Sequence, residues 1–372
     1  MRILFLVSHL RKGGVTNVLY NLCCQLKKNS ECEISIVTLR EEEKSSRYDD
    51  FLNLGICITQ MHSSYIKCEL FSSLISKKIQ SVIDTQKIDI VHCHGYHPVL
   101  VGVNLQKVKI VATLHNRASE DFVNVFGTLW GKLMLHKYLC ALNKFDVCSA
   151  VSQSAAKLYF QLGLHNISFV NNGIDTDGFI PVSNEVRSQL REKYHLPLDQ
   201  KIIVSSGRIE KEKRYVEMIH YFVSFLGKEP ITLIILGDGS QLKTCKEIAK
   251  DDEHVVFTGL VKDVKEYLQC ADYYISYSVS EGMSMAVCEA VSCGLYPILS
   301  DIPSHHDVAD ALLEESNAMI YNKVEDVGAH FNELPTVIEK TKLHDYIDKN
   351  FSIKTMGNGY LNIYKKVKVI QK

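Results

Sequence analysis

The sequence alternates short apolar segments with amphipathic segments of helical period, and it does so in both halves of the chain. Alternation of this kind predicts parallel sheets whose strands are joined by right-handed helical crossovers. In the first half the predicted strands are residues 3–7, 34–39, 56–60, 88–92, 109–114, 147–151 and 167–170. In the second half they are residues 202–206, 231–236, 254–258, 273–277 and 295–300. The predicted fold class is therefore α/β.

The length of the chain favours two domains, because 372 residues exceed what one ordinary hydrophobic core holds. Turn-forming residues cluster at 171–178, which reads NNGIDTDG. We place the domain boundary there, which gives domains at residues 1–171 and 172–354. The last segment, about 355–372, has a helical and basic pattern.

The composition is that of a soluble globular protein, with 46% hydrophobic and 23% charged residues. The longest apolar runs, 3–7 and 231–236, are far shorter than the roughly 20 residues that a membrane-spanning helix needs. The run after Met1 is also too short for a signal peptide. The twelve cysteines form no C-x-x-C pair. We interpret them as small core residues in a reducing cytoplasm.

Formal charge is divided unequally between the two halves. Residues 1–171 carry 19 Lys and Arg against 13 Asp and Glu, a net charge of +6, and the remainder carries 23 against 30, a net charge of −7. A basic first half predicts contact with an anionic surface or acceptor. No nucleic-acid partner is expected.

Residues 277–294, YSVSEGMSMAVCEAVSCG, follow a predicted buried strand and lead into a helix. Glu281 and Gly282 are therefore expected at a helix N-terminus, where an anion gains about 0.3–1 kcal/mol. Glu289 comes eight residues later, about two helical turns, so both carboxylates are expected on one side of the helix. Two solvated glutamates on a surface helix remain the alternative.

The segment GRIEKEKR follows the predicted strand 202–206 and places Arg208 and Lys213 at the strand end, where anions bind. Charge-assisted hydrogen bonds from such side chains contribute about 1.5–3 kcal/mol each. A solvated charged face is the alternative. In the first half, Gly13 and Gly14 open the first helix, and glycine lets a backbone approach a phosphate closely.

Three of these motifs occur in the order found in one protein family. The patterns N-G-I-D at residues 172–175, G-R-x-x-x-x-K at 207–213 and S-x-x-E-G-x-S-x-x-x-x-E-A-x-x-x-G at 278–294 resemble the signatures of family 4 retaining glycosyltransferases. That family has the GT-B fold, two Rossmann-like domains whose parallel sheets face a central cleft. In enzymes of this type the C-terminal helix crosses back to pack on the first domain.

The resemblance implies roles for individual residues. Arg208 and Lys213 would hold the nucleotide diphosphate, and Glu289 would bond the ribose. Gly14 would face the diphosphate across the cleft, and His115 would reach the donor sugar. The donor sugar and phosphate would be held by Glu281 with the backbone of Gly282, Met283 and Ser284, and the base edge would be read by the backbone near Val261. Two departures from the family pattern are Ser284, where many members have proline, and Asn17, where many have glutamate.

The activity that the resemblance implies is transfer of a hexose or N-acetylhexosamine from a nucleotide-diphosphate sugar with retention of anomeric configuration. A UDP-sugar is favoured, with GDP-mannose as a further candidate donor, and no metal is required. Alternatives are a GT-B sugar-nucleotide epimerase and a non-catalytic sugar-nucleotide binding protein. A dehydrogenase is disfavoured because Gly13 and Gly14 are not part of a G-x-G-x-x-G pattern.

Two patterns could be mistaken for metal sites. Alternation on a strand puts His92 and His94 on one face, but no third ligand lies near in sequence, so we interpret them as polar strand-end residues facing the cleft. Asp175 and Asp177 form a D-x-D pattern in the turn-rich junction, where capping and turns explain them. A surface-loop histidine is the alternative interpretation of His115.

Residues 122–145 combine apolar residues at helical spacing with interleaved lysines, and include Trp130, the chain's single tryptophan. The pattern fits a core helix with a solvated face, and it also fits a helix that dips into a bilayer interface. Members of the resembled family often extend saccharides on a lipid-diphosphate carrier. We therefore expect a cytoplasmic enzyme, peripheral at the inner face of the cell membrane, whose acceptor is a polyprenyl-diphosphate-linked saccharide, as in O-antigen or capsule assembly.

Overall fold

A computed structural model of the protein describes residues 1–43, 45–225, 231–250, 252–330 and 333–369. The chain divides into two compact units. One comprises Met1–Gly173 and Ile353–Lys372, and the other comprises Ile174–Ser352. The first unit is therefore built from two separate stretches of sequence.

The first unit is organised on a seven-stranded parallel sheet. Its strands are β1 (Arg2–Val7), β2 (Glu33–Thr38), β3 (Cys57–Gln60), β4 (Ile90–His94), β5 (Lys109–Leu114), β6 (Val147–Ala150) and β7 (Ile167–Phe169). Their spatial order is β3-β2-β1-β4-β5-β6-β7. Near-continuous burial of β1, β4 and β5 is what a parallel sheet covered by helices on both faces requires.

The helices of the first unit connect these strands and cover the sheet. They are α1 (Gly14–Lys27), α2 (Tyr48–Asn53), α3 (Tyr65–Leu70), α4 (Ser72–Gln86), α5 (Tyr96–Gly102), α6 (Ala118–Leu142), α7 (Gln153–Gln161) and, from the end of the chain, α16 (Ile353–Val369). Helix α16 packs against α1. A side chain on Gly357 would lie 2.3 Å from Gln25, so the absence of a side chain permits this close approach.

The second unit repeats the plan with a six-stranded parallel sheet in the order β10-β9-β8-β11-β12-β13. Its strands are β8 (Lys201–Ser206), β9 (Ile231–Leu236), β10 (Val255–Gly259), β11 (Tyr273–Ser276), β12 (Tyr296–Ser300) and β13 (Met319–Tyr321). Its helices are α8 (Asn184–Lys193), α9 (Tyr215–Phe225), α10 (Leu242–Ala249), α11 (Val264–Cys270), α12 (Met285–Ser292), α13 (Pro303–Leu313), α14 (Val324–Ala329) and α15 (Lys340–Phe351), with a short 3-10 helix at Lys211–Lys213.

Each sheet has one point at which the direction of strand succession reverses. The reversal lies between β1 and β4 in the first unit and between β8 and β11 in the second. In open parallel sheets, ligands bind outside the carboxyl ends of the strands at this switch point. The loops after β1, β4, β8 and β11 are therefore where functional side chains are expected.

The predicted α/β class with two parallel sheets is confirmed, and each predicted strand exists within about two residues of its expected bounds. Strand β13 was not predicted from the sequence. Among the described residues, no helix has both the length and the apolar character needed to cross a bilayer.

Candidate functional site

The best-defined cluster of charged groups lies at the switch point of the second sheet. Lys213 comes from the loop after β8, and Glu281 comes from the loop after β11. Lys213 Nζ lies 2.9 Å from Glu281 Oε1, and both side chains are largely buried. The two loops are also joined through backbone, since the Val279 N–H donates to the carbonyl oxygen of Glu212. The structure thus brings together two of the predicted site residues.

The charge of Glu281 is fixed by its surroundings. Burial alone would raise the pKa of this carboxyl group, but the Lys213 ammonium and then His305 outweigh burial and hold the pKa well below its usual range. His305 Nε2 lies 3.7 Å from Glu281 Oε1, while its Nδ1 is held 2.8 Å from the carbonyl oxygen of Ser300. Glu281 is therefore an anion at neutral pH. Sequence reasoning did not single out His305, because only the fold brings α13 beside this loop.

Arg208 lies in the same loop as Lys213 but in a different environment. Its side chain is 76% exposed, and its Nη2 is 3.2 Å from Glu212 Oε1. An exposed pair of this type contributes less than about 1 kcal/mol, so the guanidinium group can turn from Glu212 toward a ligand at little cost. Of the two predicted cationic residues, Lys213 is in a largely buried ion pair and Arg208 is in an exposed one.

Glycines hold the loop of Arg208 close to its neighbours. Gly237 has a φ of 143°, and a side chain there would lie 1.9 Å from the carbonyl oxygen of Gly207. A side chain on Gly239 would lie 2.4 Å from the carbonyl oxygen of Ile209. The carboxyl ends of β8 and β9 can approach this closely only without side chains, and this contact positions Arg208.

Glu289 lies within α12, where the sequence places it, but Glu281 does not lie on that helix. The helix begins at Met285, with Ser284 as its N-cap. The expectation that both carboxylates share one side of a helix is therefore wrong. Glu281 lies in the loop that connects β11, which ends at Ser276, to α12. In that loop its side chain pairs with Lys213.

Burial raises the pKa of Glu289 to about 7. A carboxyl group whose pKa is raised by burial is costly to ionise, and such groups are common at binding sites. Hydrogen-bond donors from a ligand would favour its ionised form. Glu289 therefore has the properties of a ligand-binding carboxylate more than those of a solvated surface glutamate.

The remaining predicted residues of the second unit lie on loops at the same edge of the sheet. Gly282, Met283 and Ser284 precede α12, and the side chains of Met283 and Ser284 are buried. Val261 follows β10, after an exposed Leu260. Ser284 makes no side-chain capping bond to α12. The backbones of these residues follow the carboxyl ends of β10 and β11. Ligands of parallel sheets bind at that edge.

In the first unit, Gly14 is the first residue of α1, after β1. No side chain caps this helix, and a side chain built on Gly14 would meet nothing within 4 Å. Steric crowding within the unit therefore does not explain the glycine. An open helix N-terminus at the β1–β4 switch point can accept an anion.

His115 follows β5 and pairs with a histidine of β4. Its Nε2 lies 2.8 Å from Nδ1 of His94. Burial lowers the pKa of His115 to about 4, so the ring is neutral at physiological pH. A surface-loop histidine does not describe this partly buried residue. A neutral ring offers hydrogen bonding to a ligand without a formal charge.

The sequence suggested that His92 faces a ligand site. In the structure His92 is instead fully buried beneath α16. Its Nδ1 is 2.7 Å from the hydroxyl group of Tyr364, and its Nε2 is 2.7 Å from that of Thr113. Thr113 is in turn 2.8 Å from the hydroxyl group of Tyr360. The prediction was wrong because the sequence does not reveal that the last helix covers this strand. In the described part of the chain, no group of three or more His, Cys, Asp or Glu side chains is arranged to hold a metal ion.

Helix α6 differs from the simple core helix that its spacing favoured. Gly127 breaks the helix with a φ of 76° and a ψ of 170°. Around this break Leu129 is 80% exposed and Trp130 is 65% exposed, whereas Tyr138 and Leu142 in the second half are buried. Both ends of α6 contribute to the core, with Ala118 and Phe122 buried near its start, and the middle of the helix presents apolar side chains to the surroundings.

Two family models match the chain in succession. The model described as Glycosyltransferase Family 4 matches residues 12–178, and the model described as Glycosyl transferases group 1 matches residues 186–350. Together they cover most of both units.

Curated relatives align over nearly the whole chain. The chain is 23% identical to the O-antigen biosynthesis glycosyltransferase WclY of Escherichia coli, over 99% of each protein. It is 24% identical to an Escherichia coli UDP-Gal:alpha-D-GlcNAc-diphosphoundecaprenol alpha-1,3-galactosyltransferase, over 93% of this chain and 90% of the relative.

Among solved structures, HepE of Anabaena in complex with UDP superposes with a TM-score of 0.78 at 15% identity, over 98% of this chain and 100% of HepE. At that level of identity the likeness establishes the fold. The two sheets, their order and the two family matches agree, and the chain belongs to the family 4 glycosyltransferases with the GT-B fold.

Proposed function

We propose that this glycosyltransferase moves a hexose or N-acetylhexosamine from a nucleotide-diphosphate sugar to a saccharide acceptor with retention of anomeric configuration. The observation that carries the proposal is the buried pair between Lys213 Nζ and Glu281 Oε1, 2.9 Å apart at the switch point of the second sheet. This pair places a fixed cation and a fixed carboxylate where a parallel sheet binds its ligand.

The donor would be held by groups from several strand ends. Lys213 and Arg208 would neutralise the diphosphate, and the α12 N-terminus with the backbone of Gly282, Met283 and Ser284 would hold phosphate and sugar. Glu289 would accept hydrogen bonds from the ribose, and the backbone near Val261 would read the base edge. UDP is the favoured nucleotide, supported by the UDP complex of the structurally similar HepE, and GDP-mannose remains the second candidate.

The chemistry follows from charge development in the transition state. The bond from the anomeric carbon to the leaving diphosphate oxygen breaks, positive charge grows on the carbon and negative charge grows on the phosphate. Lys213 and Arg208 would stabilise the phosphate, with the α1 N-terminus at Gly14 adding to this. The acceptor oxygen would attack from the same face, and its proton would pass to the leaving phosphate oxygen.

The Glu281 carboxylate and the His115 imidazole would have distinct roles. Glu281 remains ionised and would orient the sugar by accepting hydrogen bonds from its hydroxyl groups. His115, neutral because burial lowers its pKa to about 4, would hydrogen-bond the donor sugar. Because cationic side chains and helix ends supply the counter-charge in this scheme, the reaction is expected to need no metal ion.

The acceptor that we propose is a polyprenyl-diphosphate-linked saccharide, extended during surface polysaccharide synthesis at the inner face of the membrane. The O-antigen relative and the relative acting on a diphosphoundecaprenol substrate support this choice. The net charge of +6 on residues 1–171 and the exposed apolar middle of α6 support peripheral contact with an anionic membrane.

Substitution at Lys213 tests the proposal, with Lys211 as a matched control from the same 3-10 helix. We expect Lys213→Met to weaken UDP binding and to reduce donor hydrolysis and transfer by about 100-fold, because one charge-assisted contact is lost and Glu281 is left buried without its partner. Lys211→Met should leave UDP binding unchanged. Equal behaviour of the two variants would contradict the proposed site.

Turnover also separates the alternatives. A nucleotide-sugar epimerase would convert the donor sugar without releasing UDP, and a binding protein would titrate with the donor without any turnover. Release of UDP together with an acceptor-dependent product of unchanged anomeric configuration, read from the proton coupling at the anomeric carbon, is expected here. An inverted product would refute retention and leave the glycosyltransferase family assignment intact.

A further inference from the structure

Arg40 lies at the carboxyl edge of the first unit's sheet, and the proposed donor site does not use it. It follows β2, the neighbour of β1 at the carboxyl edge of the sheet. Its backbone is held on both sides, since its N–H donates to the carbonyl oxygen of Ser8 and its carbonyl oxygen accepts from Thr38 Oγ1. The side chain therefore starts from a fixed point next to the β1–β4 switch.

Among the described residues, no carboxylate forms an ion pair with the guanidinium group of Arg40. It lies over the ring of Tyr65, and its Nη2 is 3.4 Å from Nδ1 of His97. Its Nε and Nη1 have no hydrogen-bond partner among the described residues. Arginine carries five N–H donors in a planar fork suited to carboxylate and phosphate oxygens. Buried donors without partners are rare in proteins, so this group is arranged to meet an acceptor from outside the chain.

Glu42, Glu43 and Glu69 already have other partners. Glu69 accepts from Lys137 Nζ and from the hydroxyl group of Tyr96. Glu43 pairs with Arg11, and Glu42 accepts from the N–H of Leu10. Arg40 is therefore a cation whose neighbours leave its charge available to an anionic ligand.

Exposed apolar side chains of α3 begin directly beside this cation. Tyr65, which covers the guanidinium group, starts α3, where Ile66 and Leu70 are each 68% exposed. Phe71, between α3 and the following helix α4, and Leu74 of α4 are also exposed. An uncompensated cation thus lies at one end of an apolar strip.

Further exposed apolar side chains lie in the middle of α6. Lys137 of α6 donates to the carbonyl oxygen of Glu69 in α3, so the two helices are neighbours. Leu129 and Leu133 are both exposed and lie two turns and one turn before Lys137 on the same face of α6. Larger exposed apolar patches mark sites of interaction with partners or membranes. We call the exposed side chains of this surface the apolar strip: Ile66, Leu70, Phe71, Leu74, Leu129 and Leu133.

We propose that Arg40, with His97, binds the phosphate of the polyprenyl diphosphate that carries the acceptor, and that the lipid chain lies along the apolar strip. A dianionic head and an apolar tail on one molecule match a buried cation and an exposed apolar surface that begin at the same residue, Tyr65. The proposal rests on the proposed function, and it assigns the acceptor lipid to groups of the first unit that are separate from the residues assigned to the donor.

The test measures binding of farnesyl diphosphate, as a short polyprenyl diphosphate, and of inorganic pyrophosphate to the full-length protein by calorimetry. Arg40→Gln should weaken farnesyl diphosphate binding about 10- to 100-fold, the loss expected for one or two charge-assisted bonds. Arg47→Gln is the matched control, because Arg47 also lies over a tyrosine ring, that of Tyr20, but has the carboxylate of Asp50 as partner. It should bind as the wild type does.

The double variant Ile66→Ser/Leu70→Ser separates lipid from free phosphate. It should weaken binding of farnesyl diphosphate at least about tenfold and leave pyrophosphate binding unchanged, because only the former buries apolar surface. UDP binding, measured on each variant, reports an intact second unit. If Arg40→Gln does not fold, Arg40→Lys replaces it, because lysine keeps the charge but lacks the planar fork of donors.

Unchanged farnesyl diphosphate binding in the Arg40 variants, or an equal loss in Arg47→Gln, would overturn the proposal. Equal affinity of wild type for pyrophosphate and farnesyl diphosphate would also overturn it, since the lipid would then make no contact. Failure of the wild type to bind UDP or any nucleotide sugar would instead contradict the proposed function, and that result is independent of the Arg40 measurement.

Discussion

Replacing Glu289 by glutamine should make the second unit more stable at high pH while weakening nucleotide binding. Burial raises the pKa of Glu289 to about 7, against an ordinary value of 4.5. The stabilisation associated with the neutral carboxyl group is therefore fully present below pH 4.5 and is lost as the pH rises through about 7. Glutamine stays neutral throughout and avoids that loss.

The magnitude follows from the two pKa values. At about 1.4 kcal/mol per pH unit the difference corresponds to roughly 3 kcal/mol, and partial exposure of the side chain reduces it to about 2 kcal/mol. For a unit of this size, 2 kcal/mol shifts the midpoint of thermal unfolding by about 4–8 °C. In scanning calorimetry at pH 8.5, the unfolding transition that UDP shifts should have a higher midpoint in Glu289→Gln than in the wild type. At pH 5 the stability gain of the variant should fall below about 1 kcal/mol.

A second measurement checks the cause. Ribose hydroxyl groups that donate to Glu289 favour its ionised form, so UDP binding at pH 7 should release a fraction of a proton, seen in calorimetry across buffers of different ionisation enthalpy. The Glu289→Gln variant should bind UDP more weakly and release none. Glu247→Gln on the exposed face of α10 is the control. Absence of both the high-pH gain and the proton release would refute the assignment of Glu289.

Three further outcomes are expected. Transfer should continue in excess EDTA, because Arg208 and Lys213 supply the counter-charge; complete loss that Mg²⁺ or Mn²⁺ restores would contradict this. Gly239→Ala should weaken UDP binding about tenfold or more, since its side chain would lie 2.4 Å from the Ile209 carbonyl oxygen and displace the Arg208 loop, and wild-type affinity would argue against that packing. Binding to anionic vesicles should fall with salt and with Lys132→Glu/Lys144→Glu, at about 1 kcal/mol per lysine; salt-independent binding would refute the electrostatic part.

Sequence periodicity predicted the sheets well because it reports burial, and parallel strands are buried on both faces. Once the strands are known, parallel pairing brings their carboxyl ends to one edge, so Arg208, Lys213 and Glu281 were expected at strand ends of a single sheet. The ion pair between Lys213 and Glu281 was not predicted, because it depends on how two loops fold against each other. The roles of these residues remain predictions.

Periodicity could not predict which side chains of different strands and helices contact each other. The pairing of His94 with His115 requires that β4 and β5 be adjacent, and the burial of His92 requires that α16 cover β4. The exposed middle of α6 was also ambiguous, because helical spacing of apolar residues is the same in a core helix and in an interfacial one. Gly127, which breaks the helix, lies within this exposed segment.

The return of α16 to the first unit sets an order of events during synthesis. The first unit emerges first from the ribosome, but His92 and Thr113 have no Tyr364 and Tyr360 to bond until the last helix has been made. The second unit, Ile174–Ser352, is continuous in sequence and is complete before then. The unit that is translated first is thus the last to be finished, and a nascent chain stalled before residue 353 would leave His92 and Thr113 without their tyrosine partners and without the helix that covers them.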